Sequence, residues 1–158
     1  MSKKIYVGGC FDDYLEIRKI QNILILKGYE ISYDWTIRAE KTVYERNNLS
    51  LDMRTADKLK EEAELDMNGI YEADWTIFII TRKEYVYRGT FFELGASIMR
   101  DTLRNKRQTI ILSNKNENTY AKTLCFFHHP NIIHVETIDE AISKHLCPQI
   151  PQVHSYCD

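Results

Sequence analysis

Short β-rich runs alternate with longer stretches of helical periodicity along this chain of 158 residues. Such alternation is typical of parallel sheets whose strands are connected by helices. The run from Trp75 to Ile80 (WTIFII) is almost continuously apolar, as expected of a central strand covered on both faces. Five strands are predicted, at Lys3–Gly9, Tyr29–Trp35, Asp74–Ile80, Gln108–Leu112 and Asn131–Glu136.

Apolar residues spaced three and four positions apart predict the helices between these strands. The predicted helices are Asp13–Lys27, Ser50–Asn68 (ended by Gly69), Thr90–Arg104 and Ile138–His145, and the polar stretch Thr36–Asn48 is predicted to be a loop. Right-handed crossovers then favour an α/β fold, a flavodoxin-like doubly wound five-stranded parallel sheet of order 2-1-3-4-5 with helices on both faces. Residues 1–158 are predicted to form one domain, with a core at about 3–145 and an irregular C-terminal tail at 146–158.

Composition excludes several classes of protein. The chain has 21 Lys and Arg against 23 Asp and Glu, and this net charge of −2 argues against binding a nucleic-acid polymer. No apolar run approaches the roughly 20 residues that span a bilayer, so no membrane partner is expected. The apolar stretch after Lys3 and Lys4 is too short for a signal peptide. Neither the cysteines nor the histidines have metal-ligand spacing, which favours reduced thiols and a cytoplasmic protein without a bound metal.

A sheet of this order binds ligands beyond the carboxyl ends of its first and third strands. That position corresponds to the loops after Val7, after Ile80 and before Thr90. The turn Gly8–Phe11 leads from the first strand to a helix N-terminus, which favours an anionic or polar ligand. The chain has neither a GxGxxG nor a P-loop motif, so nicotinamide dinucleotides and ATP hydrolysis have no support.

Two carboxylates and a tyrosine each have a structural and a catalytic interpretation. Thr90 and Glu93 have the spacing of a capping box, in which Glu93 accepts a hydrogen bond from the backbone N–H of Thr90. Alternatively, the helix dipole keeps Glu93 ionised at neutral pH, as a nucleophile requires. Asp66 adjoins the apolar stripe of its helix. It is either a boundary residue bonded to a loop backbone or a partly buried acid, in which case desolvation favours its protonated form. Tyr6 is either a core residue or a catalytic one.

Three sequence blocks together resemble the nucleoside 2-deoxyribosyltransferase superfamily, which includes nucleotide N-glycoside hydrolases. The blocks are Lys4–Phe11 (KIYVGGCF), Leu65–Ile70 (LDMNGI) leading to Ala73-Asp74, and Gly89–Ala96 (GTFFELGA). The resemblance implies that Glu93 attacks the anomeric carbon of the sugar. It also implies that Asp66 handles the nucleobase as a proton donor or hydrogen-bond partner, and that Tyr6 orients the nucleophile.

The same resemblance implies the chemistry of a retaining glycosidase. A covalent glycosyl ester on Glu93 would be resolved by a second base or by water, and no metal or organic cofactor is needed. The implied partner is a small-molecule nucleoside or nucleotide, and members of the superfamily are commonly homo-oligomers. The residues predicted to bind substrate are Gly8, Gly9, Cys10, Phe11, Trp35, Arg88 and Gly89.

One departure from the superfamily pattern bears on the substrate. Transferases often carry an Asp shortly before the glycine of the third block, whereas Gly89 follows Arg88, a cation suited to a phosphate. The predicted function is cleavage or transfer of the N-glycosidic bond of 2′-deoxynucleosides or their 5′-monophosphates. The alternatives are a nucleoside 5′-monophosphate N-glycoside hydrolase and a non-catalytic nucleotide-binding or sensor module. Arg38, Arg82 and Lys83 could add to such a site, although charges of this kind are usually solvated.

Overall fold

The computed structural model of the protein describes residues 2–49, 54–114 and 123–146. These residues form a five-stranded, all-parallel sheet of order β2-β1-β3-β4-β5. The strands are β1 (Lys4–Gly9), β2 (Glu30–Ile31), β3 (Trp75–Ile79), β4 (Thr109–Leu112) and β5 (Ile132–Val135). The predicted fold class and strand order are confirmed.

The helices surround this sheet. They are α1 (Tyr14–Leu26), α2 (Thr36–Leu49), α3 (Ala56–Glu72), α4 (Arg88–Arg104) and α5 (Ile138–Ala141), which continues as a π-helical turn over Ile142–Leu146. Short 3-10 turns lie at Phe11–Asp13 and Cys125–His128. Within the described ranges, no helix is both long and apolar enough to cross a membrane. Except for Leu146, the predicted C-terminal tail lies outside the described residues.

The prediction of a loop at Thr36–Asn48 is wrong, because this stretch forms α2. Asp34 stabilises the first turn of the helix, because its carboxylate accepts hydrogen bonds from the backbone N–H and the hydroxyl of Thr36 at 2.9 and 2.6 Å. Trp35, Ala39 and Thr42 are buried and form the inner side of this segment. A small and a polar residue on that side hide its periodicity, which explains why the sequence pattern did not reveal the helix.

The prediction that Gly69 ends the third helix is also wrong, because α3 continues to Glu72. Gly69 instead permits a close approach: an added Cβ would lie 2.6 Å from the Cβ of Tyr33 and 3.1 Å from the ring of Tyr6. The helix therefore packs directly over β1, and Asp66, one turn earlier, reaches Tyr6. At its other end, the hydroxyl of Thr55 accepts from the backbone N–H of Lys58, and positions 50–53 of the predicted helix lie outside the described residues.

Candidate active site

A cavity of about 580 Å³ lies beyond the carboxyl ends of β1 and β3, where the strand order predicts a ligand site. Its walls come from the turn after β1, from α2 and α3, and from the N-terminal end of α4. Eight of the ten residues predicted to bind substrate or act in catalysis line this cavity: Gly9, Cys10, Phe11, Trp35, Asp66, Arg88, Gly89 and Glu93. The other two, Tyr6 and Gly8, lie on β1 in contact with the carboxylate of Glu93.

Gly8 lies directly against the carboxylate of Glu93. An added Cβ at this position would lie 2.7 Å from the ring of Phe78 and 2.9 Å from Oε2 of Glu93. Because the backbone and a buried ring constrain these contacts, a side chain at Gly8 would displace the carboxylate. Gly8 therefore shapes the site without lining the cavity.

Glu93 takes no part in a capping box. Helix α4 begins at Arg88, with Tyr87 as its N-cap and no capping side chain, so Thr90 lies inside the helix and the capping-box prediction is wrong. Tyr87 determines this earlier start, because its ring is buried and its hydroxyl accepts the backbone N–H of Arg82 at 2.8 Å. The Glu93 carboxylate is instead hydrogen-bonded to the hydroxyl of Tyr6.

The electrostatics of Glu93 also differ from the sequence expectation. Burial and the nearby charge of Asp66 raise the pKa of Glu93 to about 8, although the hydrogen bond from Tyr6 and the charge of Arg38 oppose the rise. The raised pKa runs against the expectation that the helix dipole keeps this carboxylate ionised at neutral pH. Desolvation outweighs the dipole because the carboxylate is enclosed by protein on most sides.

Asp66 is held by a cation from the unpredicted helix α2. Nη2 of Arg38 donates to both carboxylate oxygens of Asp66, at 2.8 and 3.1 Å, and the hydroxyl of Tyr6 donates to one of them at 3.5 Å. Burial raises the pKa of Asp66, and the contact with Arg38 limits the rise. Arg38, Asp66, Tyr6 and Glu93 thus form one connected chain of polar groups.

Aromatic rings form a second part of the cavity wall. Phe11 and Trp35 stack with their centroids 5.8 Å apart and their planes at 15°. The indole N–H of Trp35 donates to the carbonyl of Val7 at 2.8 Å, which fixes the pair to β1. The guanidinium groups of Arg54 and Arg38 lie 5.6 and 5.9 Å from the centroid of Phe11. This wall suits a flat, polarisable group such as a nucleobase.

The loop before α4 is tied to the turn after β1. Arg82 donates to both oxygens of Asp13 at 2.6 to 2.9 Å, so it is an anchor of this loop and does not line the cavity. Tyr85 is hydrogen-bonded to the thiol of Cys10, and burial raises the pKa of that thiol. Cys10 therefore lines the cavity as a neutral group. Lys83 is exposed and is not among the lining residues.

Arg88 and Gly89 occupy the exposed N-terminus of α4 at the edge of the cavity. The first backbone N–H groups of a helix have no partner within the helix, and the helix dipole favours an anion beside them. Within the described ranges, no ion pair engages the guanidinium of Arg88. This end of the cavity thus combines a cation with a helix N-terminus.

Several lining residues were not predicted from the sequence as site residues. They are Thr42, Arg46, Arg54, Leu59, Glu62, Ala63, Tyr85, Val86, Tyr87 and Thr90, together with Arg38, which the sequence favoured as a surface charge. The spacing of Trp35, Ala39 and Thr42 was the available signal for helix α2, which contributes three of these residues. Four arginines and three carboxylates line the cavity. Since Glu93 is mostly protonated at neutral pH, positive charge exceeds negative charge there.

In the described part of the chain, no group of three or more His, Cys, Asp or Glu side chains is placed to hold a metal ion. The polar groups of the cavity are instead carboxylates, guanidinium groups and hydroxyls. The chemistry available to these residues is nucleophilic attack, proton transfer and the binding of an anion.

Comparison with models of known protein families gives no match. Comparison with curated proteins gives none either. Among solved structures, the chain is similar to the CMP N-glycosidase BcmB of Clostridium botulinum, at 17% sequence identity and a TM-score of 0.49. The aligned region covers 87% of this chain and 93% of that one.

Proposed function

We propose that this protein cleaves the N-glycosidic bond of nucleoside 5′-monophosphates, with Glu93 as the nucleophile. The observation that carries the proposal is the pair of carboxylates, Glu93 and Asp66, bridged by the hydroxyl of Tyr6 in one cavity. Glycosidic bond cleavage needs one group to attack the anomeric carbon and another to serve the leaving group. Two carboxylates in different surroundings can divide these roles.

The hydroxyl of Tyr6 also offers a route for the proton that the departing base takes up. The carboxyl proton of Glu93 has a path through the hydroxyl of Tyr6 to Asp66, and from Asp66 to the departing base. The Glu93 carboxylate then forms a bond to C1′ as the bond from C1′ to the base nitrogen breaks, and the base leaves with the proton. Water next attacks C1′ as the ester bond to Glu93 breaks, its proton returns through Asp66 and the hydroxyl of Tyr6 to the Glu93 carboxylate, and the sugar phosphate is released. Two displacements at C1′ retain its configuration.

Arg38 has a positioning role in this mechanism, because it contacts Asp66 and not the reacting atoms. The two hydrogen bonds from Arg38 fix the position of the Asp66 carboxylate. Arg38 also limits the rise in the pKa of Asp66 that burial causes. Asp66 can therefore receive a proton and pass it on, and a strongly protonated acid could not receive one. The α2 helix thus supplies the electrostatic support for residues on α3 and α4.

A 5′-phosphate fits the excess of positive charge in the cavity. Arg88 and the first N–H groups of α4 lie at the rim, whereas Glu93 and Asp66 lie deeper, so the phosphate and the base would occupy different parts of the cavity. The cavity volume of about 580 Å³ is within the range of small-molecule sites. The transfer of deoxyribose between free nucleosides would make no use of Arg88.

One observation favours a second candidate function, the binding of a nucleotide without turnover. Glu93 is mostly protonated at neutral pH, with a pKa of about 8, and a protonated carboxyl is not a nucleophile. A nucleotide-binding module would need the arginines and the aromatic wall but not an ionised Glu93. Turnover decides between the two functions.

The first experiment incubates the protein at pH 7 with ribo- and deoxyribonucleoside 5′-monophosphates and with the matching nucleosides, with and without a second free base. Release of base from monophosphates, detected by chromatography, is the expected result. Exchange of bases on nucleosides would instead identify a transferase. If neither release nor exchange occurs, the proposed activity is refuted, and calorimetric titration with the same nucleotides then tests the binding function.

The Glu93→Gln variant should lose at least about 1,000-fold in kcat, because an amide cannot form the glycosyl ester. Glu64→Gln, at an exposed position on α3, is the matched control and should keep wild-type turnover. Equal activity of the two variants would remove Glu93 from the mechanism.

The Arg88→Ala variant tests the phosphate. A hydrogen bond to a charged group contributes about 1.5–3 kcal/mol, so kcat/KM for monophosphates should fall by about 10- to 100-fold. Nucleosides should be affected by less than about threefold. Lys83→Ala removes an exposed charge from the neighbouring loop and controls for long-range attraction. Equal losses for nucleosides and monophosphates would exclude a phosphate contact by Arg88.

A further inference from the structure

A second cavity, of about 520 Å³, lies between helices α2 and α3. We call it the α2/α3 groove, and the two helices line it with Ile37, Lys41, Glu45, Lys58, Glu62 and Leu65. Within each helix these positions are three or four residues apart, so each helix turns one side toward the groove. The groove is therefore a space between two facing helices and not a cleft within a loop.

The α2/α3 groove shares a wall with the cavity that contains Glu93. The residues that line both spaces are Arg38, Thr42, Arg54 and Glu62. The Glu62 carboxylate lies 3.8 Å from Nε of Arg38 and 3.5 Å from Nη1 of Arg54. A ligand in the groove would therefore contact the same arginines that line the Glu93 cavity.

Arg38 retains hydrogen-bond donors for a ligand in the groove. Its Nη2 is engaged by the carboxylate of Asp66 at 2.8 and 3.1 Å. Its Nη1 makes only long contacts, 3.4 Å to the carbonyl of Glu62 and 3.5 Å to the hydroxyl of Tyr33, a residue that lines the groove and not the Glu93 cavity. Nε has no hydrogen-bond partner among the described residues. Because buried donors in proteins are normally paired, this arrangement favours a ligand that brings an acceptor oxygen.

The three carboxylates that line the groove are already engaged within the protein. Asp34 accepts two hydrogen bonds from Thr36. Glu45 pairs with Lys41 at 3.8 Å, and Glu62 lies between two guanidinium groups. The lining also contains two arginines and two lysines, so cations outnumber carboxylates there. The charge of the groove therefore favours an anion.

The rest of the lining selects the body of such an anion. Tyr33, Ile37 and Leu65 contribute an aromatic ring and two aliphatic side chains. Lys58 is exposed, and its ion pair with Glu61 at 2.8 Å is a surface contact that contributes little and can be exchanged for a ligand. An aromatic ring that carries a carboxylate or a phosphate matches both the apolar and the charged parts of the groove. The volume of about 520 Å³ is within the range of small-molecule sites.

We propose that the α2/α3 groove binds a small organic anion, a carboxylate or phosphate on an aromatic ring, and that this ligand competes with Asp66 for the guanidinium of Arg38. The binding of the anion does not depend on the proposed function. Its effect on turnover rests on that function, because Asp66 is the residue proposed to serve the departing base.

The expected effect of the anion on the Glu93 cavity is inhibition. Arg38 limits the rise in the pKa of Asp66. An anion bonded to Nε and Nη1 of Arg38 shares the charge of that guanidinium and adds negative charge near Asp66, and both changes raise the pKa of Asp66 further. A carboxylate that stays protonated cannot receive the proton that leaves Glu93, so kcat falls. KM changes little, because the ligand leaves Arg88 and the aromatic wall of the cavity free.

The first test is calorimetric titration of the protein with phenylacetate and with phenyl phosphate. The stronger of the two should bind at least about 10-fold more tightly than the neutral analogue 2-phenylethanol, because hydrogen bonds to a charged group are lost in the alcohol. It identifies the acidic group of the ligand. Inorganic phosphate, which lacks the aromatic ring, should bind at least about 10-fold more weakly than phenyl phosphate. Absence of binding by both aromatic anions, or equal affinity for the alcohol, would overturn the proposal.

The Ile37→Asp variant assigns the binding to the groove. Ile37 is 66% exposed, is the second residue of α2 and lines the groove but not the Glu93 cavity. An aspartate is tolerated in the first turn of a helix, so circular dichroism should show a folded chain, and its charge should weaken binding of the anion by at least about 10-fold.

Leu15→Asp is the matched control, because Leu15 is 56% exposed, is the second residue of α1 and lines neither space. This variant should bind the anion as wild type does. Equal losses in Ile37→Asp and Leu15→Asp would overturn the proposal. Binding that persists in Ile37→Asp and disappears in Arg88→Ala would belong to the Glu93 cavity and would overturn it as well.

The second test measures the competition for Arg38. Carbon NMR of labelled aspartate side chains should show a higher pKa of Asp66 when the protein is saturated with the tighter-binding probe, and an unchanged pKa would refute the competition. This measurement needs no turnover, so it tests the groove even if the protein releases no base.

Base release from nucleoside 5′-monophosphates provides the kinetic readout. At pH 7, the saturating probe should lower kcat at least about fivefold and change KM by less than about twofold, whereas Ile37→Asp should resist the probe. A raised KM with an unchanged kcat would show that the probe competes with substrate in the Glu93 cavity, and this result would overturn the proposal.

Discussion

Two arginine–aspartate pairs, one in the core and one in the cavity, have the same chemistry and different surroundings. Arg100 and Asp101 lie behind the sheet and are buried, with a closest contact of 2.6 Å. Arg38 and Asp66 lie at the cavity, are about 15% exposed and have a closest contact of 2.8 Å. Close geometry is common to both pairs and therefore does not distinguish a structural pair from a functional one.

The partners of each pair do distinguish them. Arg100 also donates to the carbonyls of Ile70 and Ala73, and Asp101 also accepts from the backbone N–H of Gln108 and the hydroxyl of Thr109. These bonds fasten α4 to the end of α3 and to β4.

In the cavity pair, Nε of Arg38 has no hydrogen-bond partner among the described residues, although the Glu62 carboxylate lies 3.8 Å away. Asp66 accepts a hydrogen bond from the hydroxyl of Tyr6, and this hydroxyl is also hydrogen-bonded to Glu93. A core pair thus uses its hydrogen-bonding capacity within the protein, whereas the cavity pair retains capacity for a ligand.

Neutralising one carboxylate of each pair should give the largest contrast. Asp101→Asn leaves the buried guanidinium of Arg100 without a counter-charge and should lower the free energy of unfolding by about 3–5 kcal/mol. Asp66→Asn should lower it by about 1 kcal/mol or less, because Arg38 can be solvated from the cavity, while base release falls steeply. Urea unfolding measures both. Equal losses of stability would show that the cavity pair is structural as well.

Glu93→Gln should show the stability cost of the cavity carboxylate. The pKa of Glu93 is about 8 in the folded protein and near 4.5 when unfolded, so the folded state binds the extra proton between these values. Its contribution to wild-type stability is therefore present below about pH 4.5 and is lost as the pH rises through 8.

The variant has no ionisation at this position, so the amount by which its free energy of unfolding exceeds that of wild type should be roughly 4 kcal/mol larger at pH 9 than at pH 5. Urea unfolding at both values provides the measurement, with Glu64→Gln as the control at an exposed glutamate. A constant difference between the proteins across this range would mean that the pKa of Glu93 is not raised.

The neighbours of Glu93 should shift its titration in opposite directions. Removing the negative charge of Asp66 by Asp66→Asn should lower the pKa of Glu93, and removing a stabilising hydrogen bond by Tyr6→Phe should raise it. Carbon NMR of labelled glutamate side chains would follow both. Shifts in the same direction would contradict the polar chain that joins these residues.

The part of the cavity formed by β1 and α4 could be predicted, because the sequence patterns that mark it extend over only a few residues. The turn after β1, the apolar run of β3 and the glycines around Glu93 identify the carboxyl edge of the sheet, and the strand order brings these segments together. The other part depends on α2, whose inner side of Trp35, Ala39 and Thr42 lacks a strong apolar period. The sequence pattern therefore indicated a surface charge at Arg38, whereas in the structure helix α2 brings its guanidinium to the carboxylate of Asp66.

The start of α4 shows the same limit on a smaller scale. Thr90 and Glu93 satisfy the spacing of a capping box, and the local preference for that motif is real. The structure starts the helix two residues earlier because Tyr87 is buried and bonded to the loop before it. A tertiary contact outweighs a capping preference of about 1 kcal/mol.

The sequence by itself determined the order of strands and helices, the sheet that follows from it, and the edge at which Tyr6, Asp66 and Glu93 meet. Tertiary structure decided which charges face each other across that edge, the pKa of Glu93, and the exposure of the apolar side chains of Phe92 and Leu103 on α4. The physical reason is that periodicity and turn signals act over a few residues. A pKa or an exposed face is instead a sum over groups that folding brings together from distant parts of the chain.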